Sequence, residues 1–327
     1  MSAARAQRVV LITGISGQDG SYLAELLCAE GLEVHGTVRR AADRNAANLA
    51  AVRDSVTLHH GDLLEQGTLR SVIDATKPDE VYHLAAPAFV PDSWALAAET
   101  MQAIATLTGE LIDAVRVHVP RARVVVATSR EIFGSGAPSP QREDTPCAPS
   151  SPYGVAKLAA HQLVGLLRAH DGLHLCSAIL FNHESPRRDP WFLSRKVTRA
   201  AAAISVGRQD ELTLGDTEAV RDWSAAGDIV RGLRLMAAAP QPDDYVFASG
   251  VGRTVRELVD VAFACVGLET ERYLRVDPAL VRRREEAAAI GDASRARERL
   301  GWRAETSFEQ LIAAMVAADL AALAPAG

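Results

Sequence analysis

The stretch Arg8–Thr13 (RVVLIT) runs straight into Gly14-Ile15-Ser16-Gly17-Gln18-Asp19-Gly20, and Ser21–Ala29 then carries apolar residues at helical spacing up to Gly31. A short β-branched run bounded by glycine is the pattern of a parallel strand buried on both faces. Glycines at these three positions permit a tight turn, a close approach of backbone to a pyrophosphate, and close helix–strand packing. The helix that follows aims its N-terminus at the phosphates. This strand–turn–helix predicts a dinucleotide-binding fold with Gly14, Gly17, Gln18, Asp19 and Gly20 at the cofactor. At the end of the next strand, Glu33–Val38, a site for NAD calls for a carboxylate that bonds the ribose. Arg39-Arg40 stands there instead, and a guanidinium suits a 2′-phosphate, so the expected cofactor is NADP.

Further strands fit Val56–His59, Glu80–Leu84, Arg123–Ala127 and Leu175–Phe181, with helical patterns at Leu69–Asp74, Gln102–Val117 and Tyr153–His170 between them. Alternation of this kind predicts an α/β chain with a Rossmann-like, doubly wound parallel sheet. After about residue 185 the rhythm breaks at Pro186, Pro190 and Trp191, leaving short helices and isolated strands before an alanine-rich helix over Ser307–Leu323. The expected division is an NADP-binding domain over 1–185, to which some later segments return, and a smaller, mostly C-terminal substrate-binding domain over 186–327.

The chain has 35 basic and 41 acidic residues among 327, a net charge of −6, which argues against a nucleic-acid partner. No apolar run approaches the roughly 20 residues that cross a bilayer. Met1–Arg8 is short and polar, and the cysteines (Cys28, Cys147, Cys176, Cys265) are scattered without metal-ligand spacing. The expectation is a cytoplasmic protein with reduced thiols and no metal. His59-His60 does not alter this, since adjacent strand residues point to opposite faces. Asp62, just beyond, is placed to meet the adenine end of the cofactor.

Tyr153 and Lys157 are four apart and share a helical face. An ammonium near a phenol favours the phenolate, and such a tyrosine can exchange a proton with a sugar hydroxyl while hydride passes to a nicotinamide. Pro152 suits a helix start, and Ser129, at a strand end, can bond the reacting oxygen. Glu131, two residues on, reads either as a solvated loop carboxylate or as a base for a proton on carbon beside a carbonyl.

With those residues in place, the chain resembles the GDP-mannose 4,6-dehydratases, extended short-chain dehydrogenase/reductases, over nearly its whole length. The resemblance is carried by LITGISGQDGSYLAELL, VHGTVRR, HHGDL, VYHLAA and SPYGVAKL, and most specifically by FNHESPRR at Phe181–Arg188. Arg195-Lys196 with Thr198-Arg199, Arg221-Asp222-Trp223, Arg275–Pro278 and Gly301-Trp302 extend it. It implies Ser129, Glu131, Tyr153 and Lys157 as the catalytic set, with Glu131 removing the C5 proton. It further implies Leu63, Leu84, Ala85, His183 and Arg188 beside the cofactor, and Asn182, Lys196, Arg221 and Arg282 on the GDP moiety. A homodimer or homotetramer is implied as well, with Arg44 reaching a neighbouring subunit. The sequence departs from that family at Pro87-Ala88-Phe89-Val90, usually Gln-Ser-His-Val, at Ser129, usually threonine, and at Arg130, usually small. The implied activity is conversion of GDP-mannose to GDP-4-keto-6-deoxymannose. A GDP-sugar reductase or epimerase using the same triad, or a chain that binds NADP and GDP-sugar without turnover, are the alternatives.

Overall fold

A computed structural model describes residues 7–39, 46–65, 67–281 and 288–324. Its first half alternates β1 (Val9–Thr13), α1 (Gln18–Ala29), β2 (Glu33–Val38), β3 (Val56–His60), α2 (Thr68–Thr76) and β4 (Glu80–His83). There follow α3 (Ala97–Met101), α4 (Leu107–His118), β5 (Arg123–Ser129), α5 (Pro152–Asp171) and β6 (Leu175–Leu180). The helix expected to begin at Gln102 opens with a π-turn, Gln102–Thr106, that joins α3 to α4. Then come β7 (Asn182–Glu184), α6 (Leu193–Ser205), β8 (Leu212–Leu214), β9 (Val220–Ala225), α7 (Ala226–Ala238) and β10 (Tyr245–Phe247). The chain closes with β11 (Gly252–Thr254), α8 (Val255–Ala264), α9 (Thr270–Tyr273), β12 (Leu274–Val276), α10 (Ser294–Leu300) and α11 (Phe308–Leu323).

Seven parallel strands form the main sheet in the order β10-β6-β5-β4-β1-β2-β3. Strands β1 and β6 are buried along their whole length, as continuous apolar runs require in a sheet covered on both faces. The strand order reverses at β1, which lies between β2 and β4, and a doubly wound sheet opens its ligand crevice beyond the carboxyl ends of the strands at such a point. One face packs Ile12, Tyr82 and Val125 with Ile229, Phe247 and Trp302 from the second half of the chain; the other packs Leu11, Val81 and Val124 under Leu111 and Val115. The late strand β10 thus completes the sheet, with the Phe247 ring edge-on to Trp302 at 4.9 Å.

A separate core lies under α6, α8 and α11, where Val197, Trp223, Phe263, Ile312 and Met315 meet. In α11 the buried positions Phe308, Leu311, Ile312, Met315, Val316 and Asp319 recur at helical spacing, and Ser307 with Gln310 forms a capping box at its start. Among the described residues, no helix is long and apolar enough to cross a membrane.

Candidate active site

Two adjoining cavities occupy the crevice, a groove of about 880 Å³ over the glycine turn and a pocket of about 550 Å³ beyond β4, β5 and β6. The turn is sealed by the Gly17 N–H donating to the Gly14 carbonyl at 3.0 Å. Its glycines are required by space. Gly14 has φ +73°, and a Cβ there would lie 3.0 Å from Ala85 Cα; a Cβ on Gly20 would lie 2.4 Å from the Gly14 carbonyl oxygen. Gln18, Asp19, Arg39, Asp62, Leu63, Leu84 and Ala85 line the groove with them. Thr13 Oγ1 accepts from the Leu84 and Ala85 N–H groups at 3.1 and 3.2 Å, tying the β4 exit to β1. The Thr13 proton therefore goes to His83 Nδ1 at 2.8 Å, and burial, helped by the Lys157 charge, pushes that imidazole down to about 3. Arg40, Arg44 and Arg282 lie outside the described residues.

Asp19 lines both cavities and pairs with His183 of the pocket, Nε2 to Oδ2 at 2.9 Å. His183 Nδ1 donates to the Phe181 carbonyl at 2.7 Å, so both ring nitrogens face acceptors. Burial opposes both charges, yet the mutual attraction outweighs it: His183 is raised and Asp19 lowered from their ordinary values.

Helix α5 starts cleanly, with Ser151 Oγ accepting from Gly154 N at 3.0 Å and Pro152 in the first turn. That start delivers Tyr153 into the pocket and Lys157 one turn below. Burial pushes the Tyr153 phenol up to about 12, against which the Ser129 hydrogen bond works, and pushes Lys157 down to about 8. The expected effect of Lys157 on the phenol differs from what the structure shows. Lys157 Nζ donates to the Ala127 carbonyl at 2.7 Å and stands 5.8 Å from the Tyr153 ring centroid, so Ser129 and Arg188 are the groups that draw the phenol down.

Glu131 sits on a single 3-10 turn after β5, its N–H donating to Ser129 Oγ at 3.3 Å. Its carboxylate faces Arg130, with Nη1 3.4 Å from Oε1, and both residues line the pocket. Asn182 and Arg221 line it from β7 and β9. Lys196 does not: it is exposed on α6 and donates to the Thr213 carbonyl at 2.8 Å. His59 stacks on His35 on the neighbouring strand, away from both cavities.

The wall between groove and pocket contains a residue that sequence reasoning missed. Phe192 packs edge-on to Phe89 at 5.5 Å, and the Arg188 guanidinium lies 3.5 Å above its ring while pairing with Glu184 at 3.2 Å. Pro190-Trp191 read as a break in rhythm, and no periodic signal marks the aromatic just after it. Trp223, also in the pocket, is recognisable only as part of Arg221-Asp222-Trp223.

A phenol, a hydroxyl and a carboxylate converge on one pocket beside a nucleotide-shaped groove, which is the equipment for oxidising an alcohol and moving a neighbouring carbon-bound proton. Known proteins match the chain that carries these residues over nearly its whole length. The family model described as GDP-mannose 4,6 dehydratase matches residues 11–315. GDP-mannose 4,6 dehydratase 1 of Arabidopsis thaliana is 43% identical over 326 residues, 96% of this chain and 90% of that protein. GDP-mannose 4,6-dehydratase of Sinorhizobium fredii is 39% identical, over 97% and 98% of the two chains. Among solved structures, UDP-glucose 4-epimerase of Thermotoga maritima shares the fold at a TM-score of 0.86 and 22% identity, over 97% and 100% of the chains. With turn, helix α5 and the Phe181–Arg188 segment all placed on one crevice, the chain belongs to the GDP-mannose 4,6-dehydratase family.

Proposed function

We infer that the protein is an NADP-dependent GDP-mannose 4,6-dehydratase, a lyase that yields GDP-4-keto-6-deoxymannose and leaves its cofactor as it began. The observation that carries this is the placement of Glu131 in the same pocket as Ser129 and Tyr153, since a reductase or a 4-epimerase, working by hydride transfer, needs no carboxylate for a proton on carbon. The groove fits NADP: Gly14 takes a positive φ and Gly20 has no room for a Cβ, which keeps the turn tight, α1 points its N-terminus into the groove, and Arg39 lines it to meet a 2′-phosphate.

Asn182, Arg221, Arg282 and Lys196 hold the GDP moiety, Lys196 by turning inward from Thr213. Ser129 and Tyr153 take the C4 hydroxyl. Tyr153 acts as the phenolate, the form that Ser129 and Arg188 favour against burial, and accepts the proton of that hydroxyl. Lys157, buried below, supplies positive charge to the same site. NADP held by the glycine turn and Arg39 would supply the acceptor for the C4 hydride and the donor that returns it to C6. The 4-keto group acidifies C5–H, Glu131 removes that proton, and the C6 hydroxyl leaves as water by accepting it. As hydride reaches C6, C5 takes up the proton that Tyr153 received from the C4 hydroxyl. His183 and Arg188 hold the cofactor end of the wall.

Assembly as a homodimer or homotetramer is part of this reading. Exposed Trp94, Leu96 and Val155, near and on α5, are apolar surface that a second copy would cover, and light scattering measures the mass. The deciding experiment is mass spectrometry of GDP-mannose incubated with the protein and catalytic NADP⁺, without added reductant. Loss of one water is expected; unchanged substrate, or turnover only with stoichiometric NADPH, refutes the dehydratase reading.

A further inference from the structure

Arg130 is a nearly buried cation in the pocket wall: it is 4% exposed, and its Nε has no hydrogen-bond partner among the described residues. A buried guanidinium is costly unless opposite charge and acceptors hold it. Two groups do so here. Nη2 donates to the Gly134 carbonyl at 3.1 Å, and Nη1 stands 3.4 Å from Glu131 Oε1. The planar, forked head of arginine suits a two-sided grip of this kind, which the single ammonium of lysine does not reproduce.

The turn that it grips is itself wedged against the start of α5. Gly134 has φ +77°, and a Cβ there would lie 2.0 Å from the Ala148 carbonyl oxygen in the segment entering the helix. A Cβ on Gly154, next to Tyr153, would lie 2.6 Å from the Glu131 carbonyl oxygen. Backbone contact therefore fixes the turn relative to Tyr153, and Arg130 carries that fixity out to the end of the Glu131 side chain. The contact is made to Oε1 of that carboxylate, in the pocket that the sugar would enter.

We propose that Arg130 is a positioning residue for the elimination step: braced on the Gly134 carbonyl, its guanidinium holds the Glu131 carboxylate in the geometry that removes the C5 proton, whereas oxidation at C4 does not depend on it. The proposal rests on the dehydratase reading above. Removal of C5–H is slow from a carboxylate that swings freely, because misplacement by about 1 Å costs on the order of 100-fold in rate. The Ser129–Tyr153 pair is held by other contacts and keeps its geometry.

The test compares wild type, Arg130→Met and Arg130→Lys. First-turnover near-ultraviolet absorbance of reduced nicotinamide reports C4 oxidation, mass spectrometry reports water loss, and calorimetry reports NADP⁺ and GDP binding. In Arg130→Met, the absorbance should rise as fast as in wild type and then persist, water loss should fall roughly 100-fold, and both affinities should be unchanged. Arg130→Lys should fall between the two, and it carries the same expectation should the methionine variant fail to fold. Equal slowing of absorbance and water loss overturns the proposal, as does water loss that is unchanged or faster, the latter making Arg130 a brake on Glu131. A wild type that leaves GDP-mannose intact refutes the parent reading instead; a dehydrating wild type with an indifferent Arg130 refutes this one alone.

Discussion

At the glycine turn the surface of the nucleotide groove is main chain, where Gly14 takes a positive φ and a Cβ on Gly20 would collide. In the sugar pocket it is side chains from separate elements: Phe89 after β4, Arg130 and Glu131 after β5, Tyr153 on α5, Phe192 before α6. A backbone-built surface has one solution, since any side chain added to it collides. A surface assembled from side chains changes one residue at a time, with each change falling on one chemical step or one part of the ligand.

The largest effect that tests this contrast is expected on the side-chain side. Glu131→Gln should lower turnover about 10²–10⁴-fold, the range of a lost acid–base group, while calorimetry shows NADP⁺ affinity unchanged. Turnover within tenfold of wild type breaks the assignment. On the backbone side, Gly20→Ala sets a methyl group 2.4 Å from the Gly14 carbonyl oxygen, so the turn must shift. NADP⁺ affinity should fall roughly 100-fold, about 2.7 kcal/mol, with a lower melting temperature; an unaltered affinity means the turn is not the cradle.

A smaller effect concerns stability. Burial holds Lys157 at about 8, below its ordinary 10.5, so the folded protein binds fewer protons than the unfolded chain between those values. Stability from this group is full above the ordinary value and is lost as pH falls through about 8. Lys157→Met should remove that dependence and make the inactive variant more stable at neutral pH, by up to the order of 3 kcal/mol. Denaturant titrations of both proteins across this range check it, and parallel curves refute it. Smallest is Phe89→Ala. Losing its edge contact with Phe192 should cost about 1 kcal/mol, a several-fold rise in KM for the sugar nucleotide with kcat nearly intact.

The groove was legible from sequence because its signal is local: strand, glycine turn and helix follow one another within about twenty residues, and glycine is the one residue that fits. The order of β1 to β6 followed from apolar runs of ordinary length. Strand β10 was not marked, since three residues, Tyr245–Phe247, are too few to show a period, and their partner β6 lies far back in the chain. Tyr153 and Lys157 were found by spacing, but spacing is silent on where an ammonium ends up, and Lys157 turned to a strand carbonyl. Arg130 was visible as a cation beside Glu131. That it folds back, buried, onto Gly134 depends on a turn whose shape comes from contacts with residues 148 and 154. The phenylalanine wall joins segments about a hundred residues apart, and no local pattern carries it.

That wall faces both cavities, with Pro87, Ala88, Phe89, Arg188 and Phe192 common to the two linings. An inherited change in any of them is read by two ligands together, so a drift toward a new sugar alters the hold on the cofactor at the same moment. Lineages of this protein are therefore expected to explore new sugars through residues with a single audience, Val90 or Leu193 for instance, and to alter the shared wall only in compensating pairs. In a library of variants, the signature is strong epistasis between positions 89 and 192 and near-independence between 89 and 221.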